Sequence, residues 1–256
     1  MSSLVWLDAY TPFPDPNGAL PDGLLAVGGD LSLARLTAAY AHGIFPWFNE
    51  GDPILWWSPD PRMVLEGQAL KVSRSLGKKL RQLQQAEAHA AADTSSGSTL
   101  QIRLNTAFAA VMQGCAEPRS TQAGTWISPA IQAAYTAWHL AGRAHSVEAW
   151  QGERLVGGLY GVSLGGIFFG ESMFSRASDA SKLALVYLVR YLLRHGVSHI
   201  DCQQQTGHLA RMGAAPMPRH DFLALLADRL SRSAPPWGTG RLLSDGRLAP
   251  SLPKPP

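Results

Sequence analysis

Cysteine is almost missing from this chain: Cys115 and Cys202 are the only two among 256 residues. Two thiols cannot build a disulfide framework or a zinc site of their own. Charge is scarce as well. Charged residues make up 16% and apolar residues 46%, which excludes a disordered chain and supplies a substantial core. No run approaches the roughly 18 apolar residues of a membrane span. The opening "MSSLVWLDAYTPFPD" lacks the basic leader and apolar stretch of a signal peptide. A soluble cytoplasmic protein is the expectation. An excess of 22 basic over 19 acidic residues is too small to argue nucleic-acid binding, so a local cluster must do so. The eight histidines show no ligand spacing with one another or with cysteine, and no metal is expected. Internal repeats are absent too.

What is present is a series of short strands and capped helices. In "PDGLLAVGGDLSLARLTAAYAHGIFPWF", Leu24–Val27 reads as a strand. Asp30 or Ser32 caps a helix with apolar positions Leu33, Leu36, Ala39 and Tyr40, and Gly43 ends it. "KVSRSLGKKLRQLQQAEAHAAA" is helical with a basic front, followed by the flexible "DTSSGS". "TLQIRL" alternates as a strand, and Asn105 caps a helix through Met112. Ser128 and Pro129 open a further helix, closed by Gly142, whose stripe is Ile131, Ala134, Tyr135, Trp138 and Ala141.

"AHSVEAW", "LVGGLYGV" and "GIFFGESMFS" are three strands joined by hairpin-length turns, which predicts an antiparallel meander. A strongly apolar helix follows, "SDASKLALVYLVRYLLRHG", capped by Ser178 or Asp179. Then comes a short strand, Val197–Ile200, that runs into Asp201. From Ser233 the chain is Pro-rich and reads as a loose tail. A meander, a long helix and a further strand is the core order of the GCN5-related acyltransferase fold. The fold class is therefore α+β. A small N-terminal α/β domain spans 1–65, a larger acyltransferase-like domain with a mostly antiparallel sheet spans 66–236, and the tail spans 237–256. That fold normally holds a coenzyme A pyrophosphate on a glycine-rich loop. Here the loop is "SRASDASK", without glycine and with an acid, so coenzyme A is not expected.

Asp201 and Gln203, two apart at the end of a strand, should point to one side of the chain. By the same alternation Cys202 should face the opposite way, into the core. This argues against a Cys202/His208 nucleophile. One dense basic cluster exists: Arg74, Lys78, Lys79 and Arg81, with Arg74, Lys78 and Arg81 on one helical face.

Several long stretches in order resemble the leucyl/phenylalanyl-tRNA–protein transferases. They are "PDGLLAVGGDLSLARLTAAYAHGIFPWF", "PILWWSPDPR", "GTWI", "AHSVEAW", "LVGGLYGV", "FFGESMFS", "ASKLAL" and "IDCQ...T.H...MGA". The segment around 84–98 looks like a surface insertion. The resemblance implies transfer of Leu or Phe, with Met a further candidate, from aminoacyl-tRNA to the N-terminal Arg or Lys of a protein, which marks that protein for degradation. It implies no cofactor, and a monomer is expected.

The resemblance also implies the site. Asp201 and Gln203 carry the family's catalytic motif. A carboxamide oxygen is a weak base, so Gln203 is read as orienting the attacking amine while Asp201 fixes the amide. Glu171 should face the site and hold an ammonium group, since an unpaired buried carboxylate is costly. Trp47 and Trp126 should contact the terminal adenosine of the tRNA. Leu159, Phe168, Leu185 and Leu188 form an apolar pocket for the Leu or Phe side chain. The basic cluster meets phosphates of the acceptor stem. The rivals are a thioester-dependent N-acyltransferase and a non-catalytic module that binds tRNA or peptide.

Overall fold

The computed structural model describes residues 4–90, 100–118 and 125–250. Gly124 of "GTWI" and residues 91–99 of the expected insertion lie outside the described residues. Two sheets carry the architecture. The small one holds β1 (Val5–Leu7), β2 (Leu24–Gly28), β3 (Phe45–Pro46) and β4 (Leu55–Trp57) in the order β1-β2-β4-β3. The large one holds β5 (Arg62–Glu66), β6 (Leu100–Leu104), β7 (Ala144–Gln151), β8 (Arg154–Leu164), β9 (Ile167–Ser175), β10 (His199–Gln203), β11 (Ala215–Met217), β12 (Gly240–Leu242) and β13 (Leu248–Pro250). Its order is β11-β5-β10-β9-β8-β7-β6-β12-β13. Every neighbouring pair in it is antiparallel except β9 with β10, which run parallel.

The helices are α1 (Leu33–Ala41), α2 (Arg74–Ala90), α3 (Phe108–Ala116), α4 (Pro129–Leu140), α5 (Ala180–Arg194), α6 (Gly207–Arg211) and α7 (Arg219–Leu230). The sequence signals explain most of their ends. Ser32 accepts from the Arg35 N–H to start α1, and Ser128 accepts from the Ile131 N–H to start α4. In the meander β7–β8–β9 only Gly152 and Glu153, then Gly165 and Gly166, lie between the strands. Helix α5 then returns the chain to place β10 beside β9, the acyltransferase-like order expected above.

Alternation along the central strands divides the core into two clusters. One gathers Tyr40, Trp56, Phe108, Tyr135, Tyr160, Phe169 and Phe222. The other gathers Leu76, Leu80, Leu159, Phe168, Leu185, Leu192 and Ile200. Neighbours on one strand, Leu159 with Tyr160 and Phe168 with Phe169, fall in different clusters because successive strand residues face opposite sides. The first cluster mixes small-sheet residues with residues of α3, α4 and α7, so the N-terminal part shares its core with the large sheet. The change from one sheet to the other falls between Trp57 and Arg62.

Two expectations need correction. The tail is not loose over residues 240–250: β12 pairs with β6, and β13 with β12. Trp237 stacks on His145 with centroids 3.9 Å apart. Asn105 does not cap α3. With φ 55°, its side chain instead joins the Ser146 N–H, His145 and the Gly238 carbonyl. The buried Glu148 carboxylate takes the N–H groups of Thr106 and Ala107 at the start of α3. An acid on β7, the strand paired with β6, thus supplies the cap, and no local sequence rule sees it.

His145 is buried, and burial lowers its pKa to about 3, with a further push from His139. Unfolding restores an ordinary imidazole, so the unfolded chain binds the extra proton between pH 6.5 and about 3. Stability therefore falls as pH drops through that window, by roughly 3 kcal/mol at pH 4 from this residue. His145→Phe, which keeps a ring on Trp237, should flatten that loss. Denaturant unfolding of both proteins at pH 7 and pH 4 measures it, and equal slopes would refute it.

Candidate active site

The parallel pairing of β9 with β10 covers only Ile200 opposite Phe168 and Asp201 opposite Phe169. Beyond these the strands part, and a cleft of about 630 Å³ opens there. Each strand carries a bulge at this point. In β9, Gly161 pairs with Gly170 and Tyr160 with Ser172, which leaves Glu171 as the extra residue. In β10, Asp201 pairs with Val64 and Gln203 with Met63, which leaves Cys202 as the extra one. Bulges break the two-residue alternation and re-aim side chains.

Across the bulge Asp201 and Gln203 still hold partners on the side of the first core cluster, through Arg62 and Glu171, while Cys202 packs against the second. Gln203 takes a left-handed backbone, φ 62°, and lines the cleft. Asp201 is 0% exposed and lies beneath the lining. Its two oxygens accept from Arg62 Nε at 2.8 Å and Arg62 Nη2 at 2.6 Å. The first also accepts the Gln203 N–H at 2.8 Å. Asp201 therefore fixes the backbone of Gln203 and leaves its amide alone. Arg62 in turn donates to the Gly43 carbonyl and lies between the rings of Phe45 and Phe222, 4.7 Å from each. Cys202 lines the cleft and does not turn wholly into the core. Its thiol is held far from reactive, since burial and the nearby Asp201 charge raise its pKa to about 12.

Glu171 lines the cleft. Its carboxylate accepts from Tyr40 Oη at 2.7 Å, Tyr135 Oη at 3.3 Å and Gln203 Nε2 at 3.0 Å. The two tyrosine hydroxyls lie 2.5 Å apart. A cation was expected beside Glu171, but among the described residues none pairs with it. Three neutral donors replace it. Burial raises the pKa to about 7, the donors from Tyr40 and Gln203 restrain it, and the Asp201 charge adds to it. Near neutral pH the group is divided between acid and base, which is the condition for moving a proton.

Leu159, Phe168, Leu185 and Leu188 all line the cleft. Trp47 and Trp126 also line it. Trp47 is 39% exposed, placed by the hydrogen bond of Trp57 Nε1 to its carbonyl and by contact with the Trp57 ring. The basic cluster is elsewhere, on α2, and does not line the cleft. Arg74, Lys78 and Arg81 are exposed there. Lys79 is not free: it bonds Asp179 at 2.7 Å and the Ser178 carbonyl at 2.9 Å. Lys79 and Lys182 hold the Asp179 pKa near 2, so the start of α5 carries a fixed acid already neutralised by protein cations. Among the described residues no group of three or more His, Cys, Asp or Glu could hold a metal.

Sequence reasoning gave no role to Arg62 and treated Tyr40 and Tyr135 as apolar-stripe residues. Both tyrosines are buried on their helices as expected. The missing signal is the hydroxyl, which needs a partner once the ring is buried.

The cleft thus brings together an acid whose pKa burial raises to about 7, four apolar side chains and two indoles, where the parallel strands part. Comparison gives the family. The model of the leucyl/phenylalanyl-tRNA protein transferases matches residues 64–227, and that of their N-terminal domain matches residues 29–60. The transferase of Bordetella avium (strain 197N) is 58% identical over 96% of this chain and 97% of its own length. That of Nitratidesulfovibrio vulgaris (strain DP4) is 56% identical over 84% and 86%. The chain belongs to the leucyl/phenylalanyl-tRNA–protein transferase family. Among solved structures, L-PGS from Bacillus licheniformis aligns with 72% of this chain and 55% of its own at a TM-score of 0.33 and 12% identity. A GCN5-related N-acetyltransferase from Kribbella flavida aligns with 75% and 63% at 0.31 and 12%. These scores are too low to relate the chain to either protein.

Asp201→Ala leaves a guanidinium buried and unpaired, which should cost about 3–5 kcal/mol. Arg62→Ala should cost a similar amount. Because both changes break one pair, the double variant should lose clearly less than the two single losses combined. Urea unfolding of the four proteins measures this, and additive losses would rule out the pairing as the source.

Proposed function

We propose that the protein moves Leu or Phe from its aminoacyl-tRNA onto the α-amino group of an N-terminal Arg or Lys, marking the acceptor protein for degradation. Its substrates are then Leu-tRNA or Phe-tRNA and a protein with a basic N-terminal residue. The observation that carries this reading is Glu171: a carboxylate with a pKa of about 7, set in the cleft beside an apolar socket. The reaction is aminolysis of an ester that is already activated. It needs a neutral amine, fixed placement and no covalent enzyme intermediate.

In this scheme the side chain of the transferred residue enters the socket of Leu159, Phe168, Leu185 and Leu188, which selects by size and shape. Met has the same unbranched Cβ and fits by the same argument. The terminal adenosine lies against Trp47 and Trp126, with stacking worth about 1–3 kcal/mol per base. Arg74, Lys78 and Arg81 meet the phosphates beyond it.

The acceptor amine loses a proton to Glu171 and attacks the ester carbonyl. The C–N bond forms, the bond from the carbonyl carbon to the ribose oxygen breaks, and the proton returns to that oxygen. Glu171 is a better base than the Gln203 carboxamide. Gln203 donates to Glu171 through Nε2, which leaves its carbonyl oxygen to orient the amine. Asp201 then acts as a positioning residue through the Gln203 N–H.

Transfer of labelled Phe from Phe-tRNA to an Arg-initiated peptide tests the reaction itself. If acetyl moves from coenzyme A and no Phe is transferred, the reading fails. For the mechanism, kcat/KM should rise with pH through an apparent pKa near 7 as Glu171 loses its proton. Glu171→Gln should remove that limb and lower turnover by roughly 10²–10⁴-fold. Tyr40→Phe deletes a donor that holds the pKa down, so the limb should shift to higher pH. An unshifted limb in Tyr40→Phe, or a retained one in Glu171→Gln, would assign the proton to another group.

A further inference from the structure

Phe168 is the socket wall with the least freedom. Its ring lies over Gly161, where an added Cβ would come within 2.5 and 2.6 Å of ring carbons. The ring therefore cannot withdraw toward β8. On another side stands Trp237, whose ring centroid is 5.7 Å from that of Phe168 at an interplanar angle of 39°. Trp237 itself does not line the cleft.

Trp237 is wedged in place. It stacks on His145 at 3.9 Å and 8° and meets the Tyr191 ring at 5.3 Å. His145 and Tyr191 are both buried. Among the described residues its buried indole Nε1 has no hydrogen-bond partner, and neither has His145 Nε2. Ring packing, and no polar tether, fixes the indole.

The backbone around it is tied to the helix that supplies Leu185 and Leu188 to the socket. Tyr191 Oη donates to the Pro236 carbonyl at 2.8 Å, and Arg190 Nη1 to the Ser244 carbonyl at 2.7 Å. Asn105 Nδ2 donates to the Gly238 carbonyl at 2.9 Å. Helix α5 thus lines the cleft through Leu185 and Leu188 and grips the tail through Arg190 and Tyr191.

We infer that Trp237, a residue of the C-terminal segment outside the cleft, sets the size of the side chain that the enzyme transfers, by backing Phe168 against the socket. With the indole present, Phe168 is held between Gly161 and Trp237 and the socket has one depth. Without it, the ring can tilt into the vacated space and the socket deepens. Larger side chains then gain and smaller ones lose contact. Discrimination of this type in an apolar pocket is worth roughly 10–200-fold per methylene-sized change. The inference rests on the reading of the socket given under Proposed function.

The test compares kcat/KM for Leu-tRNA, Phe-tRNA and Tyr-tRNA with one Arg-initiated peptide. Trp237→Ala should raise the Phe-to-Leu ratio about tenfold and make Tyr-tRNA a measurable substrate. Trp237→Phe should restore the ratio to near that of the parent. Trp237→Leu, which keeps more bulk, is measured alongside in case the alanine variant does not fold, and should shift the ratio in the same direction. Leu242→Ala, at a buried tail position, is the control: it should lower the thermal midpoint and leave the ratio unchanged. An equal loss for Leu-tRNA and Phe-tRNA in the Trp237 variants, with no transfer from Tyr-tRNA, would reduce Trp237 to a stability role and overturn the inference. Absence of any transfer by the parent enzyme would instead overturn the underlying reading of the reaction.

Discussion

The ion pair of Arg62 with Asp201 lies where the sheet opens, and the geometry of the cleft follows from it. Two strands that run parallel would ordinarily keep pairing, and a continuous ladder would leave no room for a ligand. Here the ladder stops after two residue pairs. The backbone that would have continued it is held by Asp201 through the Gln203 N–H. A buried charge pair is seldom a net source of stability against an apolar alternative. Its use here is positional: the carboxylate satisfies an N–H that the bulge takes out of the ladder.

From that anchor the acid–base character of the site follows in one step. Gln203, turned by the bulge, donates to Glu171, and two tyrosines from separate helices do the same. Replacing a lysine or arginine partner by three neutral donors keeps the carboxyl near its protonation midpoint. A cation would drive it to full ionisation and remove its capacity to exchange a proton near pH 7. The tyrosines cannot share the task, because burial and the Glu171 charge raise both of their pKa values well above the usual phenol range.

Most of this was legible in the sequence where the signal was local. Ser32 and Ser128 as caps, Gly-containing turns in the meander, and the periodic stripe of α4 all follow from short-range rules. The cleft-lining residues Trp47, Trp126, Leu159, Phe168, Leu185 and Leu188 came from family resemblance, and the structure places all six around one cavity. What failed shares a cause. The place of Asp201 beneath the cleft lining depends on Arg62, which reaches it from β5. The cap of α3 comes from Glu148 on β7, and the order of the tail depends on a free edge of β6. Each is a long-range pairing event, and strand alternation or proline content read along the chain carries no information about it. Lys79 is a similar case: adjacency in the sequence put it in a basic cluster, while its charge is engaged by Asp179 across to α5.

Tyr40 belongs to the first sixty residues, yet its hydroxyl touches an acid 131 positions further along. The two sequence blocks recognised separately by family models are thus joined at a single proton-carrying group. A chimera that took its N-terminal block from one relative and its remainder from another would inherit two sheets with compatible folds. Its working pH would still be decided at the seam, by whether the donated helix delivers one phenol to one oxygen.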